Sequence, residues 1–376
     1  MLQKTFLLFL IIILPKISFS QKEASIWFFG NNAGVDFSYS SPVPITVSAM
    51  KVKEGCVTLC NSGGALQFYT NGMQVWNKQH KLMPHGKTLK GHDSSTQSAI
   101  AIPNPYKANI IYLFTSDAGA YANPPNNGIS YYVIDMTKDN GYGDISGKDV
   151  LLLPTACEKL TAVKHKNGKD IWVMAHGWNT NNFYCWLVTK DGVAKNPIIT
   201  RIGSIHAGGF STDGNAIGYM KFSPDGSKLA AVIYENNFTE LYDFNNATGE
   251  LSDYKIIFTP QSKMAYGCEF SADSKLFYLS FYVTNEIYQW DITLNTTADI
   301  MGSAVLVAQS LDKKMGALQL APDGKIYVAK HSDYLGCISK PEVHGVGCTY
   351  IEDALYLNGG EPQLGLPNFI TSYFKR

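Results

Sequence analysis

The octet Phe222-Ser223-Pro224-Asp225-Gly226-Ser227-Lys228-Leu229 returns, one residue shorter, as Phe270-Ser271-Ala272-Asp273-Ser274-Lys275-Leu276, and again as Leu320-Ala321-Pro322-Asp323-Gly324-Lys325-Ile326. Asp-Gly between two apolar runs is a hairpin signal, because glycine reaches the positive φ that a tight turn requires. Weaker copies stand at Asn61-Ser62-Gly63-Gly64, Asn104-Pro105 and Asn167-Gly168-Lys169-Asp170. Each turn is followed by a further strand-like run: Val75-Trp76-Asn77, Tyr131 to Asp135, Phe183 to Trp186, Leu241 to Phe244 and Ile287 to Asp291. Polar turns such as Asn245-Asn246-Ala247-Thr248-Gly249 then lead to a short fourth strand. Four antiparallel strands in about fifty residues make one propeller blade.

Six turns give six blades, and the chain ends supply a seventh. Gly365-Leu366-Pro367-Asn368-Phe369 reads as an inner strand without successors, whereas Ile26 to Phe29 and Gly34 to Phe37 read as second and third strands without a first. The expected fold is therefore all-β: a seven-bladed β-propeller of four-stranded antiparallel blades, closed jointly by the N- and C-terminal segments. It forms one domain over residues 21–376. A six-bladed ring with a separate terminal hairpin is the alternative.

Residues 1–20 read as a signal peptide. Lys4 precedes an apolar run from Phe6 to Leu14, and small residues flank Phe19 before Gln21. That run is shorter than the ~20 residues needed to span a bilayer, and no later segment is apolar enough to do so. The 376 residues carry 31 basic and 31 acidic groups, and the only arginines are Arg201 and Arg376. Such a balance, without a basic block, argues against nucleic acid as a partner. Seven cysteines in an exported chain of this length do not make a disulfide scaffold. Cys337 and Cys348, flanking one loop, are the expected bridge; Cys56 and Cys60, four apart on one strand, cannot bond each other.

In a propeller the first strand of each blade lines the channel, which places the Asp-Gly turns on the bottom face. The loops between blades, and those between second and third strands, gather on top. The top-face binding candidates are Asn31, Asn32, His92, Asp93, Gln97, Lys159, His176, Trp178, His206 and Tyr219, with the channel mouth near Gln97, Lys159, Tyr219, Tyr266 and Met315. His92, His176 and His206 suggest a metal site or an acid/base pair, but each reads more simply as a loop histidine bonded to backbone. Trp178 suits a sugar ring and, more simply, inter-blade packing. Asp139 to Asp144 lacks the ligand spacing of a calcium loop. No nucleophile elbow, zinc-protease helix or phosphate loop is present. The expectation is no catalytic residue, no metal and no cofactor.

Several stretches carry a resemblance to a known family: Trp27-Phe28-Phe29-Gly30-Asn31-Asn32-Ala33-Gly34-Val35-Asp36-Phe37, Leu66 to Gly72, Ser94-Ser95-Thr96-Gln97-Ser98, Glu158 to His165, His176-Gly177-Trp178 and Gly365 to Phe369. Their order and wording resemble the propeller region of exported Bacteroidetes proteins associated with type 9 secretion and gliding motility. Many such relatives continue into a C-terminal sorting domain, which is not found here after Phe369. The resemblance implies a standalone periplasmic propeller, with secreted or cell-surface placement as the alternative. It implies an accessory or gating subunit docked on outer-membrane translocon subunits, and the closed ring without catalytic signatures points to a non-enzymatic scaffold for a protein partner in the cell envelope. A carbohydrate-binding or carbohydrate-active mouth, with a glycan partner, is the second expectation.

Overall fold

The computed structural model describes residues 22–119, 127–209, 213–236, 238–258 and 261–376, which form seven antiparallel sheets arranged as the blades of a propeller. The first blade holds Ile26–Phe29, Ala33–Asp36 and Val43–Pro44; the second holds Val57–Cys60, Leu66–Thr70 and Val75–Asn77. The third to seventh blades begin with the inner strands Ala99–Asn104, Ala156–Lys164, Met220–Phe222, Ala265–Phe270 and Met315–Leu320. The signal-like residues 1–20 and the centre of the insertion between Ala118 and Ile129 lie outside the described residues. Among the described residues no helix is long and apolar enough to cross a membrane.

Burial follows distance from the axis. Every residue of Ala265–Phe270, Leu276–Phe281 and Met315–Leu320 is buried, because neighbouring blades cover both faces of those strands. The outermost strands Glu250–Phe258 and Tyr350–Tyr356 are largely exposed or half-buried. Inner strands are consequently mostly apolar on both faces, interrupted by paired polar residues such as Lys221, Glu269 and Gln319. The recurring turn has local chemistry. Ser223 Oγ donates to Asp225 Oδ1 at 2.6 Å, the Ser227 amide donates to Asp225 Oδ1 at 3.0 Å, and Gly226 holds φ +73°. In the next blade Ser274 takes the glycine position at φ +61°, and its hydroxyl accepts the Asp225 amide at 3.1 Å, tying two turns together.

The C-terminal segment closes the ring as expected, and then continues down the channel. Asn31 pairs with Glu361, the Leu364 amide donates to Lys53 O at 3.0 Å, and the Ala317 amide donates to Leu364 O at 2.8 Å. Phe369 packs on Trp27 with ring centroids 5.8 Å apart. Beside it, Asn368 Nδ2 donates to Ala99 O at 3.2 Å and to Leu160 O at 2.7 Å, so one side chain joins the third and fourth blades. Thr371–Phe374 forms a short 3-10 turn at the bottom, where the Lys164 amide donates to Ser372 Oγ. Lys221 Nζ meets Glu269 Oε2 at 2.6 Å, Gln319 Oε1 at 2.7 Å and Leu318 O at 3.0 Å, linking three inner strands.

One expectation is corrected. All seven cysteines are buried free thiols, and Cys337 and Cys348 do not form a bridge. Cys337 sits in Tyr334–Ile338 opposite Ile351, whereas the Cys348 thiol faces the Tyr278 hydroxyl, so the two sulfurs serve different neighbours.

Candidate active site at the channel mouth

The top of the channel carries two carboxyl groups that the ring brings together. Glu54 stands just before the inner strand of the second blade. Its backbone is fixed by the Glu54 amide donating to Asp93 O at 3.1 Å and by the closing segment through Lys53. Its carboxyl accepts from Ser94 Oγ at 2.9 Å and from Tyr266 Oη at 2.8 Å, so the second, third and sixth blades meet on one side chain. Glu158, on the inner strand of the fourth blade, accepts from the Thr96 amide at 2.9 Å, Thr96 Oγ1 at 2.8 Å and the Gly119 amide at 3.1 Å.

Loss of solvation raises the pKa of both carboxyls. Burial, then the neighbouring Glu158 charge, pushes Glu54 up to about 8. Glu158 is raised by burial as well, but its bonds from Thr96 and the positive charge of Lys159 oppose the rise. Two amide donors cannot turn round to accept a proton, whereas the two hydroxyls on Glu54 can. The arrangement therefore stores a proton on Glu54 at neutral pH, while at Glu158 the donors work against the rise that burial causes. Glu54 retains partial solvent contact while Glu158 is fully buried.

Tyrosines line one side of this mouth. Tyr219 and Tyr266 meet edge to face at 5.7 Å, Tyr234 lies 6.1 Å from Tyr266, and Tyr282 lies 6.2 Å from Tyr234. Tyr219 Oη is buried without a hydrogen-bond partner. Buried Lys159 donates to Ala216 O at 2.8 Å and Ile217 O at 3.0 Å, and burial lowers its pKa.

The residues expected on the top face separate into groups. Lys159 and Tyr219 lie in or beside the mouth. Gln97 is buried, but its amide is committed to structure: it accepts from the Leu160 and Met220 amides and donates to Met220 O, bracing three blades. Asn31 belongs to the closure through Glu361, and exposed Asn32 makes a turn at φ +54°. His92 caps its own loop by accepting the Ser94 amide at 3.1 Å, and Asp93 contributes its carbonyl to Lys53 and Glu54. Trp178 is half-buried on the turn after Ile171–Gly177. His176 and His206 are fully buried and stacked at 3.7 Å, and His92 does not join them. The sequence reading missed Glu54 as a site residue. The signal available was its place just ahead of an inner strand, near the level of Glu158, the third residue of its own inner strand.

No protein-family model matches the chain, and no curated protein sequence does. Solved structures do. A Bacteroides fragilis protein described as a candidate 6-phosphogluconolactonase aligns over 91% of this chain and 96% of its own, at 11% identity and TM-score 0.53. A counterpart from Bacteroides uniformis covers 90% of this chain and 84% of its own at 12% identity and TM-score 0.49. The periplasmic gluconolactonase PpgL of Pseudomonas aeruginosa covers 73% and 74% at 16% identity and TM-score 0.45. At these identities the likeness shows the fold alone. It nevertheless corrects the expectation of a non-enzymatic docking or gating scaffold. That expectation rested on a closed ring without catalytic signatures, and a ring matched almost end to end belongs to a protein described as a candidate 6-phosphogluconolactonase.

Proposed function

We propose that this chain is a hydrolase whose active site is the channel mouth, acting on a small hydroxylated lactone or ester of the sugar-acid type. The observation that carries the reading is the Glu54–Glu158 pair, two electrostatically coupled carboxyls, each held by donors from neighbouring blades. Environments that push two titrating groups apart divide the acid and base roles between them. Glu158, bonded by Thr96 and Gly119 beside Lys159, tunes Glu54 through the charge repulsion that adds to burial. Glu54, reachable from solvent, exchanges protons with substrate and water.

In the hydrolysis of a lactone, water adds its oxygen to the carbonyl carbon and the ring C–O bond breaks. One proton leaves the water and one arrives on the departing ring oxygen. A single carboxyl that gives and regains a proton satisfies that balance, and a group near pH 8 is tuned for both halves. The tyrosine wall supplies flat apolar contact and hydroxyls suited to a polyhydroxylated ring. The signal-like first twenty residues support a periplasmic address for this activity.

The test is proton release from glucono-lactone and from its 6-phosphate, followed at constant pH with the purified chain. Hydrolysis above buffer, falling roughly 10²–10⁴-fold in Glu54→Gln, is the expected result. No acceleration over buffer with either compound, or equal rates in Glu54→Gln, would overturn the proposal.

A further inference from the structure

Cys157, His176 and His206 lie at the top ends of three strands of the fourth blade, Ala156–Lys164, Ile171–Gly177 and Ile198–His206, and all three are fully buried. One ligand atom from each lies within 4.8 Å of the other two. Cys157 Sγ is 3.6 Å from His176 Nδ1, and the two imidazoles are stacked with an interplanar angle of 19°. His176 Nε2 and His206 Nδ1 have no hydrogen-bond partner although both are buried. Buried polar atoms are almost always satisfied. An ion held by Cys157 Sγ, His176 Nδ1 and His206 Nδ1 would give the bare His206 nitrogen a partner, while His176 Nε2 faces away from that ligand set.

We propose that Cys157, His176 and His206 bind a borderline-soft divalent transition-metal ion of the Zn²⁺ class, through one thiolate and two neutral imidazoles. A tetrahedral ion with Zn–S of about 2.3 Å and Zn–N of about 2.0 Å sets its sulfur and nitrogen ligands roughly 3.6 Å apart, the spacing already present between Cys157 and His176. The supporting shell is in place too. His206 Nε2 bonds Glu240 Oε2 at 2.8 Å, which turns Nδ1 toward the cluster, and a carboxylate behind a ligating histidine is the usual arrangement. Glu240 is itself held by Tyr242 Oη at 2.7 Å, the Ser204 amide at 2.8 Å and Ser204 Oγ at 2.6 Å. Binding must unstack the rings: imidazole holds a metal in its own plane, so one ring has to turn about its side-chain bonds before both nitrogens, now in rings 3.7 Å apart and 19° from parallel, can meet one ion. This site is independent of Glu54 and of the hydrolase reading.

The test uses the purified chain, refolded with Co²⁺ because the buried site is closed to late entry, then freed of loose metal and examined for cobalt content and absorption. One Co²⁺ per chain with a thiolate-to-cobalt charge-transfer band is the expected result. Cys157→Ser should abolish the band, and Glu240→Gln, which touches no metal, should weaken binding about 10–100-fold. Circular dichroism confirms that each variant is folded. An unfolded variant is replaced by thiol alkylation of the wild type, which Co²⁺ should block at Cys157. Failure to retain cobalt, cobalt bound without the thiolate band, or alkylation of Cys157 at the same rate with and without Co²⁺ would overturn the proposal.

Discussion

Replacing Glu54 with glutamine should remove most of a pH dependence from the stability of the whole ring. The Glu54 carboxyl titrates at about 8 in the folded chain, against an ordinary value of 4.5. Between those values the folded chain holds a proton that the unfolded chain has released. Stability must therefore fall as pH rises through this window, with the full penalty present above pH 8 and none below 4.5. At about 1.36 kcal/mol per unit the whole displacement is worth about 5 kcal/mol. Glu54 keeps some solvent contact and Glu158 shares the titration, which reduces the expected slope to about 2–3 kcal/mol. Glutamine fills the same volume, can still accept from Ser94, and cannot ionise. Urea unfolding from about pH 5 to about pH 9 should show the wild type losing about 2–3 kcal/mol more than Glu54→Gln. Parallel curves for the two proteins would refute both the raised Glu54 and the division of acid and base roles built on it.

Asn368→Ala removes the two bonds to Ala99 O and Leu160 O and should lower stability by about 2–3 kcal/mol in urea unfolding. Deleting residues 361–376 should open the ring and leave an aggregating chain; an unchanged melting transition would show that the closure is dispensable. Lys221→Met strands Glu269 beside the axis and should cost about 3–5 kcal/mol, whereas Lys221→Met with Glu269→Leu should recover most of that loss in a double-mutant cycle. Gly365→Ala places a Cβ against the Glu54 carbonyl oxygen, so it should lower both the melting temperature and the Glu54-dependent activity. A variant with wild-type stability and activity would mean that closure and site are not coupled.

The blade count was legible because each Asp-Gly turn is a local device. Ser223, Asp225 and Gly226 satisfy one another within a few residues, so the signal survives in the sequence whatever the ring does around it. Closure was legible for a similar reason: Leu-Pro-Asn-Phe lacks the strands that should follow it, and Ile26–Phe29 lacks the one that should precede it. The path of the tail after Phe369 was not readable, since the bonds from Asn368 to two different blades depend on the width of the channel. Burial of charge was the harder loss. Lys159 and Glu158 read as polar residues of a top loop, yet both have no exposed surface, because the ring folds the start of every inner strand inward against its neighbours.

That inward turn explains why the candidate site was only half visible. A position at the top of an inner strand is exposed in one blade taken alone and buried once two neighbours are added. A charged residue there costs stability unless the adjoining blades supply donors. Glu54 receives them from the third and sixth blades, and Glu158 receives them from the third. Neither partnership has a local sequence signature; each is created only when the ring closes. Cys157, His176 and His206 differ in kind, because three strand ends of one blade converge by antiparallel pairing alone. A cysteine at the start of an inner strand and histidines at the ends of the second and fourth strands could be read as neighbours from blade register. The histidine that the sequence set beside them, His92, belongs to a loop of another blade, and sharing a face does not bring side chains together. Chemistry within a blade is thus recoverable from period and register, whereas chemistry at the axis needs the closed ring.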